Sequence, residues 1–147
     1  MEPYRWLVYA LLAAVCAACV SIFGKVGMKH LNSDLATAVR SVVQALFVVG
    51  FAASLGLWKH LGQFDRRAGV AVVLAGVAGG LSWIFMFRAL QLAEVSKVGP
   101  IDKLSMPIGI LLAVLFLKER PAPINWAGVA LILVGAYLVA LPAKPHP

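Results

Sequence analysis

The sequence predicts an all-α integral membrane protein, a bundle of five transmembrane helices, and three observations predict it. Hydrophobic residues make up 62% of the 147 residues and charged residues only 13%, with a mean hydropathy of +0.91. That charged share is about half the one usual in a soluble domain, so the composition argues against a soluble globule and a disordered chain. The apolar residues fall in uncharged blocks, most of them near the roughly 20 residues a helix needs to cross a bilayer. The blocks are continuously apolar rather than alternating, which disfavours barrel strands. At this length the chain holds about four or five spans and no sizeable soluble domain.

The first span is expected over residues 6–28. Its apolar run exceeds the roughly 7–15 residues of a signal-peptide core, and Lys25 follows directly, so it reads as a retained span. The second is expected over 34–58 and the third over 68–90. The fourth, 101–117, is irregular. Its uncharged part, 104–117, reaches only about 21 Å at ~1.5 Å per residue. Extending it back to Ile101 brings Asp102 and Lys103 into the membrane and places Pro107 inside the helix. There the missing N–H of Pro107 is expected to leave the carbonyl of Lys103 without a donor. Such a short, charged, proline-interrupted span is of the kind that lines a transporter site; an ordinary tilted or kinked helix is the alternative. The fifth span is expected over 122–141. The connections, 29–33, 59–67, 91–100 and 118–121, are short, and no linker divides the chain, so 1–147 reads as a single domain. The tail 141–147 is expected to be disordered.

The net charge is +7, from 13 Lys+Arg against 6 Asp+Glu. The basic residues are dispersed, so they read as anchors to the headgroups of the lipid bilayer, and no nucleic-acid partner is expected. Five spans put the termini on opposite sides. Arg5, Lys59, Arg66, Arg67, Lys118 and Arg120 fall on the side of the N-terminus; Lys29, Lys97 and Lys144 fall in the loops and tail of the other. This asymmetry predicts a cytoplasmic N-terminus. Lys25, Arg40, Arg88 and Lys103 lie within or beside spans near the second side. Counting them removes the bias and permits insertion both ways.

Thr37, Arg40, Ser41 and Gln44 recur at i, i+3, i+4 and i+7, which places them on one helical stripe. A charge at the centre of a membrane helix costs roughly 2.5–3.5 kcal/mol, less where it faces the bundle interior or a wet cavity. The stripe is therefore a candidate substrate or ion path. The alternative is a structural arginine that snorkels or pairs with Asp102 or Glu94. Ser82, Arg88, Asp102, Lys103 and Pro107 complete the path candidates. Lys25, Arg40, Arg88, Glu94, Asp102 and Lys103 fall toward one end of the bundle. They form either an electropositive vestibule, which favours anionic or zwitterionic substrates, or a ring of interfacial salt bridges. Asp102 and Lys103 are adjacent, so they do not share a helix face and separate partners are expected for them. Gly76 and Gly80, in a GxxxG pattern, with Gly128 and Gly135, are helix-packing or dimer candidates. Cys16 and Cys19 share a face of an apolar block with no His or carboxylate near them, which reads as packing. No HExxH, Walker or GxSxG pattern occurs, so no catalytic residue, metal or cofactor is expected, and the chain does not read as an enzyme.

Three stretches carry a family likeness. Residues 32–40, NSDLATAVR, resemble the loop and second-span start of EamA-type transporters. So do Gly80-Leu81-Ser82-Trp83 running to Phe87-Arg88-Ala89-Leu90, and then Ser96 to Ser105. Phe116-Leu117-Lys118-Glu119-Arg120, with Trp126 and Gly128 to Gly135, resembles the last hairpin of that domain. The likeness covers nearly the whole chain. It implies a small-molecule permease of the cytoplasmic membrane in the drug/metabolite transporter superfamily, working by alternating access. Many such relatives carry two five-span halves in inverted orientation, and this chain has one. The resemblance therefore implies a homodimer, antiparallel in one arrangement, or a separately encoded second half. The related small multidrug resistance proteins use a glutamate buried in the first span; here Ala13, Ala14, Cys16 and Ala17 occupy that region. A non-transporting subunit that scaffolds or regulates a partner transporter half is the competing function.

Overall fold

A computed structural model describes residues 4–63 and 65–141. In chain order these form α1 (Arg5–Gly27), α2 (Ser33–Ser54), a 3-10 helix (Leu57–Gln63), α3 (Arg66–Leu92), α4 (Val95–Asp102), α5 (Ser105–Phe116) and α6 (Pro123–Ala140). There is no strand among the described residues. Five segments are long and apolar enough to cross a membrane: α1, α2, α3, the α4–α5 pair Val95–Phe116, and α6. The predicted class, an all-α membrane bundle of five spans, stands. The residues after Leu141 lie outside the described residues, and the expectation for the tail lies there with them.

Helix starts follow local chemistry. Asn32 caps α2: its Oδ1 accepts from the N–H groups of Asp34 at 2.8 Å and Leu35 at 3.4 Å. Asp65 does the same for α3, accepting from Ala68 N–H at 2.6 Å. Pro123 opens α6 at a position where its missing N–H costs nothing.

Two spans differ from expectation. The second ends at Ser54 instead of reaching 58, because Gly56 turns the chain at φ 64, a conformation open to glycine. Trp58 and Lys59 then lie in the 3-10 helix. The fourth begins at Val95 rather than 101, and it is two helices. The connection expected over 91–100 shrinks to the step at Ala93 and Glu94, where Glu94 is extended. Pro100 lies inside α4. The helix breaks at Lys103 and Leu104, whose N–H groups donate to Gly99 at 3.3 Å and Ile101 at 3.0 Å. Because α5 starts at Ser105, Pro107 falls in its first turn, where an N–H has no carbonyl of its own helix to seek. The carbonyl of Lys103 is not orphaned as expected; it accepts from Met106 N–H at 3.0 Å. The break thus precedes Pro107.

The chain packs as two units, Met1–Leu92 and Ala93–Pro147. In the first, α1 and α2 both pack on α3. Phe87 and Leu90, near the end of α3, are fully buried. Gly24 of α1 lies so close to Phe87 that a Cβ there would sit 3.0 Å from the ring Cζ. Met28, Ser33 and Thr37 are buried at the same end, while large apolar side chains such as Phe47 and Val73 point outward, as a lipid-facing surface requires. In the second unit, α6 packs on both α4 and α5. Val129 and Ala136, two turns apart on α6, are buried, and so is Pro107. The turn after α5 is tight. Leu117 and Glu119 N–H both donate to the carbonyl of Ala113, and Lys118 takes φ 56. For a residue with a Cβ that conformation costs about 1–2 kcal/mol.

Candidate functional site

The α2–α3 hairpin is antiparallel, so it returns the end of α3 to the start of α2. There Arg88 Nε and Nη2 donate to the two carboxylate oxygens of Asp34, each at 2.8 Å. This is the bidentate fork that arginine and a carboxylate form best. The end of α1 joins them: Lys25 Nζ donates to the carbonyl of Leu90. Gln91 Nε2 donates to the carbonyl of Leu31 at 3.3 Å.

Arg40 lies about two turns into α2. Its Nη1 donates to Gln44 Oε1 at 2.8 Å. Its guanidinium carbon stands 4.0 Å from the centroid of the Trp83 ring and 5.5 Å from that of Phe87. The two rings meet edge to face, with centroids 5.7 Å apart. Stacking on aromatic faces offsets part of the cost of withdrawing this cation from water. Its Nε is buried and has no hydrogen-bond partner among the described residues. Beside it is a cleft of about 380 Å³, lined from α1 by Val20, Phe23 and Gly27, from α2 by Val39 and Arg40, and from α3 by Phe87. Arg40 is the charged residue of that lining.

The predicted stripe therefore divides. Arg40 and Gln44 bond each other, whereas the hydroxyls of Thr37 and Ser41 donate back to the carbonyls of Ser33 and Thr37, both at 2.8 Å. Those two hydroxyls close on their own helix. Ser82 is exposed on α3. In the second unit, Lys103 Nζ pairs with Asp102 Oδ2 at 3.4 Å, and Lys97 with Glu94 at 3.8 Å. The expectation of separate partners for Asp102 and Lys103 is thus corrected. α4 ends at Asp102, Lys103 lies in the turn beyond it, and the helical-face argument no longer applies. Within the first unit Arg40 has Gln44 and two rings as its partners. A Cβ added at Gly76, Gly80, Gly128 or Gly135 would meet nothing within 4 Å among the described residues.

Sequence reasoning missed two features. The Asp34–Arg88 fork was signalled by an acid in the first turn of one span and a base in the last turns of the next. The aromatic seat of Arg40 was signalled by Trp83 and Phe87 at i and i+4.

Five apolar spans with a polar constellation inside them define a multi-pass membrane protein. The EamA-like transporter family matches residues 4–141, and the chain belongs to that family. An "Uncharacterized transporter in cobO 3'region" from Sinorhizobium sp is 40% identical over 136 residues, covering 92% of this chain and 96% of that protein. A "Probable magnesium transporter" from Candida albicans is 39% identical over 59 residues, 40% of this chain and 16% of that protein. No solved structure matches. The family and the Sinorhizobium relative make this chain a membrane transporter, and both point to transport rather than catalysis.

Proposed function

We propose that the protein is a secondary transporter that moves a small metabolite or drug-like molecule across the cytoplasmic membrane by alternating access, with Arg40 as a contact for the substrate or coupling ion. The observation that carries this reading is the buried, unpartnered Nε of Arg40 beside an apolar cleft. Ionisable groups within spans are expensive and mark transport paths. A scaffold subunit has no use for that arrangement. Magnesium is not carried over from the Candida relative, because Arg40 repels a divalent cation from the cleft. Arg5, Lys59, Arg66 and Arg67, at the far end of the first unit, form no ion pair among the described residues. Cations at that end favour a cytoplasmic N-terminus, the fixed orientation that goes with a separately encoded second half.

The working unit on this reading is two copies, since an odd number of spans in opposite orientations reproduces an inverted-repeat transporter. Gly76, Gly80, Gly128 and Gly135 are the positions at which this reading puts its close contacts. A separately encoded second half is the competing partner. The test is counterflow in proteoliposomes containing this protein alone, using a ligand selected by thermal shift from a metabolite library. Saturable flux that Arg40→Ala lowers by roughly a hundredfold is expected. Absence of flux from folded protein would favour the scaffold function.

A further inference from the structure

We infer that the ligand of the Arg40 cleft is an amphipathic monoanion, an apolar body bearing one carboxylate or similar singly charged acidic group. The inference rests on the reading of this cleft as the transport site. The disposition of charge at this end of the first unit carries it. Arg88 is gripped by Asp34 through two bonds of 2.8 Å, and Lys25 donates to the Leu90 carbonyl. Arg40 is the cation that lines the cleft. Its hydrogen-bonded partner, Gln44, is neutral and its ring partners are Trp83 and Phe87, so none of these contacts within the first unit brings a counter-charge. Its Nε donor is unfilled.

The walls set the rest. Val20, Phe23, Val39 and Phe87 accept hydrocarbon. Among the described residues no carboxylate lines the cleft, so the ammonium of a zwitterion would lose water there and gain no partner from its walls. A second negative charge would meet apolar walls. A volume of about 380 Å³ is at the small end for a ligand pocket and suits a medium-chain or single-ring acid. Such an acid has two sources, a soluble metabolite or an anionic lipid of the bilayer, and the chemistry on Arg40 is shared.

Trp83, stacked under Arg40, is a built-in reporter, because an anion on the guanidinium changes the field at the indole. The test is Trp83 fluorescence in the full chain carrying Trp6→Phe, Trp58→Phe and Trp126→Phe, titrated with octanoate, octanol and octylamine in detergent. A saturable response to octanoate is expected, at least tenfold weaker for octanol and octylamine, and lost in Arg40→Gln. Arg40→Lys is expected to retain a weakened response, since it keeps the charge but not the planar fork. In nanodiscs, a response to phosphatidylglycerol over phosphatidylcholine that octanoate cannot displace would assign the same anion site to lipid. Equal responses to acid and alcohol would overturn the inference, and this comparison needs no variant at Arg40. So would an octanoate response that survives in Arg40→Gln. Because binding is read without flux, octanoate binding with no counterflow would leave the ligand class standing and sink the transporter reading instead.

Discussion

At one end of the first unit every basic side chain of the helices has something to hold. Arg88 forks onto Asp34, Lys25 reaches the Leu90 carbonyl, and Arg40 bonds Gln44 and stacks on Trp83 and Phe87. At the opposite end Arg5, Lys59, Arg66 and Arg67 form no ion pair among the described residues. The packing differs in the same sense. Gly24 lies against Phe87 at the partnered end, whereas a Cβ on Gly69, near the start of α3, would meet nothing within 4 Å. The lesson is that cations in one small bundle have two uses. Free ones at a helix end are read by water and headgroups and set orientation. Seated ones, drawn toward aromatic rings and carboxylates, lock the helices and define a site.

Four perturbations sharpen that contrast. The largest effect is expected at Arg40. Arg40→Ala should lower flux by roughly a hundredfold, as losing about 3 kcal/mol of charged hydrogen bonding does, with expression and oligomer size nearly unchanged. Arg40→Lys should lie between wild type and alanine. Next comes the fork. Asp34→Asn and Arg88→Gln should each lower the melting temperature in detergent, and the exchange Asp34→Arg with Arg88→Asp should recover much of the loss. Gly24→Ala should follow, since its methyl would press on Phe87 and overpacking costs about 1–3 kcal/mol. Phe87→Leu in the same chain should relieve it, while Gly69→Ala should leave the melting temperature within experimental scatter of wild type. The smallest effect on stability is expected from Arg66→Gln with Arg67→Gln. That pair should instead raise the fraction of inverted molecules in a reporter-fusion assay after Arg67.

Much of the fold was legible because burial in lipid leaves a coarse signal. Uncharged blocks gave α1, α3 and α6 to within a few residues, and Gly56 explains why α2 stops short. The fourth span starts at Val95 rather than 101 because α4 accommodates Pro100, and it carries Asp102 and Lys103 at its break. The chain tolerates them by breaking the helix beside them and pairing the two side chains. Arg40 and Gln44 were legible as neighbours on one stripe from their i, i+4 spacing. Thr37 and Ser41 share that spacing, but a hydroxyl can turn back to its own helix, and periodicity does not say which way it turns. The Asp34–Arg88 fork depends on how two spans meet, which the pattern of a single helix does not record.

The central claim is that Arg40 holds an anion in the cleft between α1 and α2. Its most direct test is ligand protection at Val39, which lines the same cleft. A single cysteine at Val39, in a Cys16→Ala, Cys19→Ala background, would be labelled with a methanethiosulfonate reagent with and without octanoate. Slowed labelling is expected with Arg40 present, and no slowing with Arg40→Gln. Protection that is equal in both chains, or that octanol reproduces, would contradict the claim.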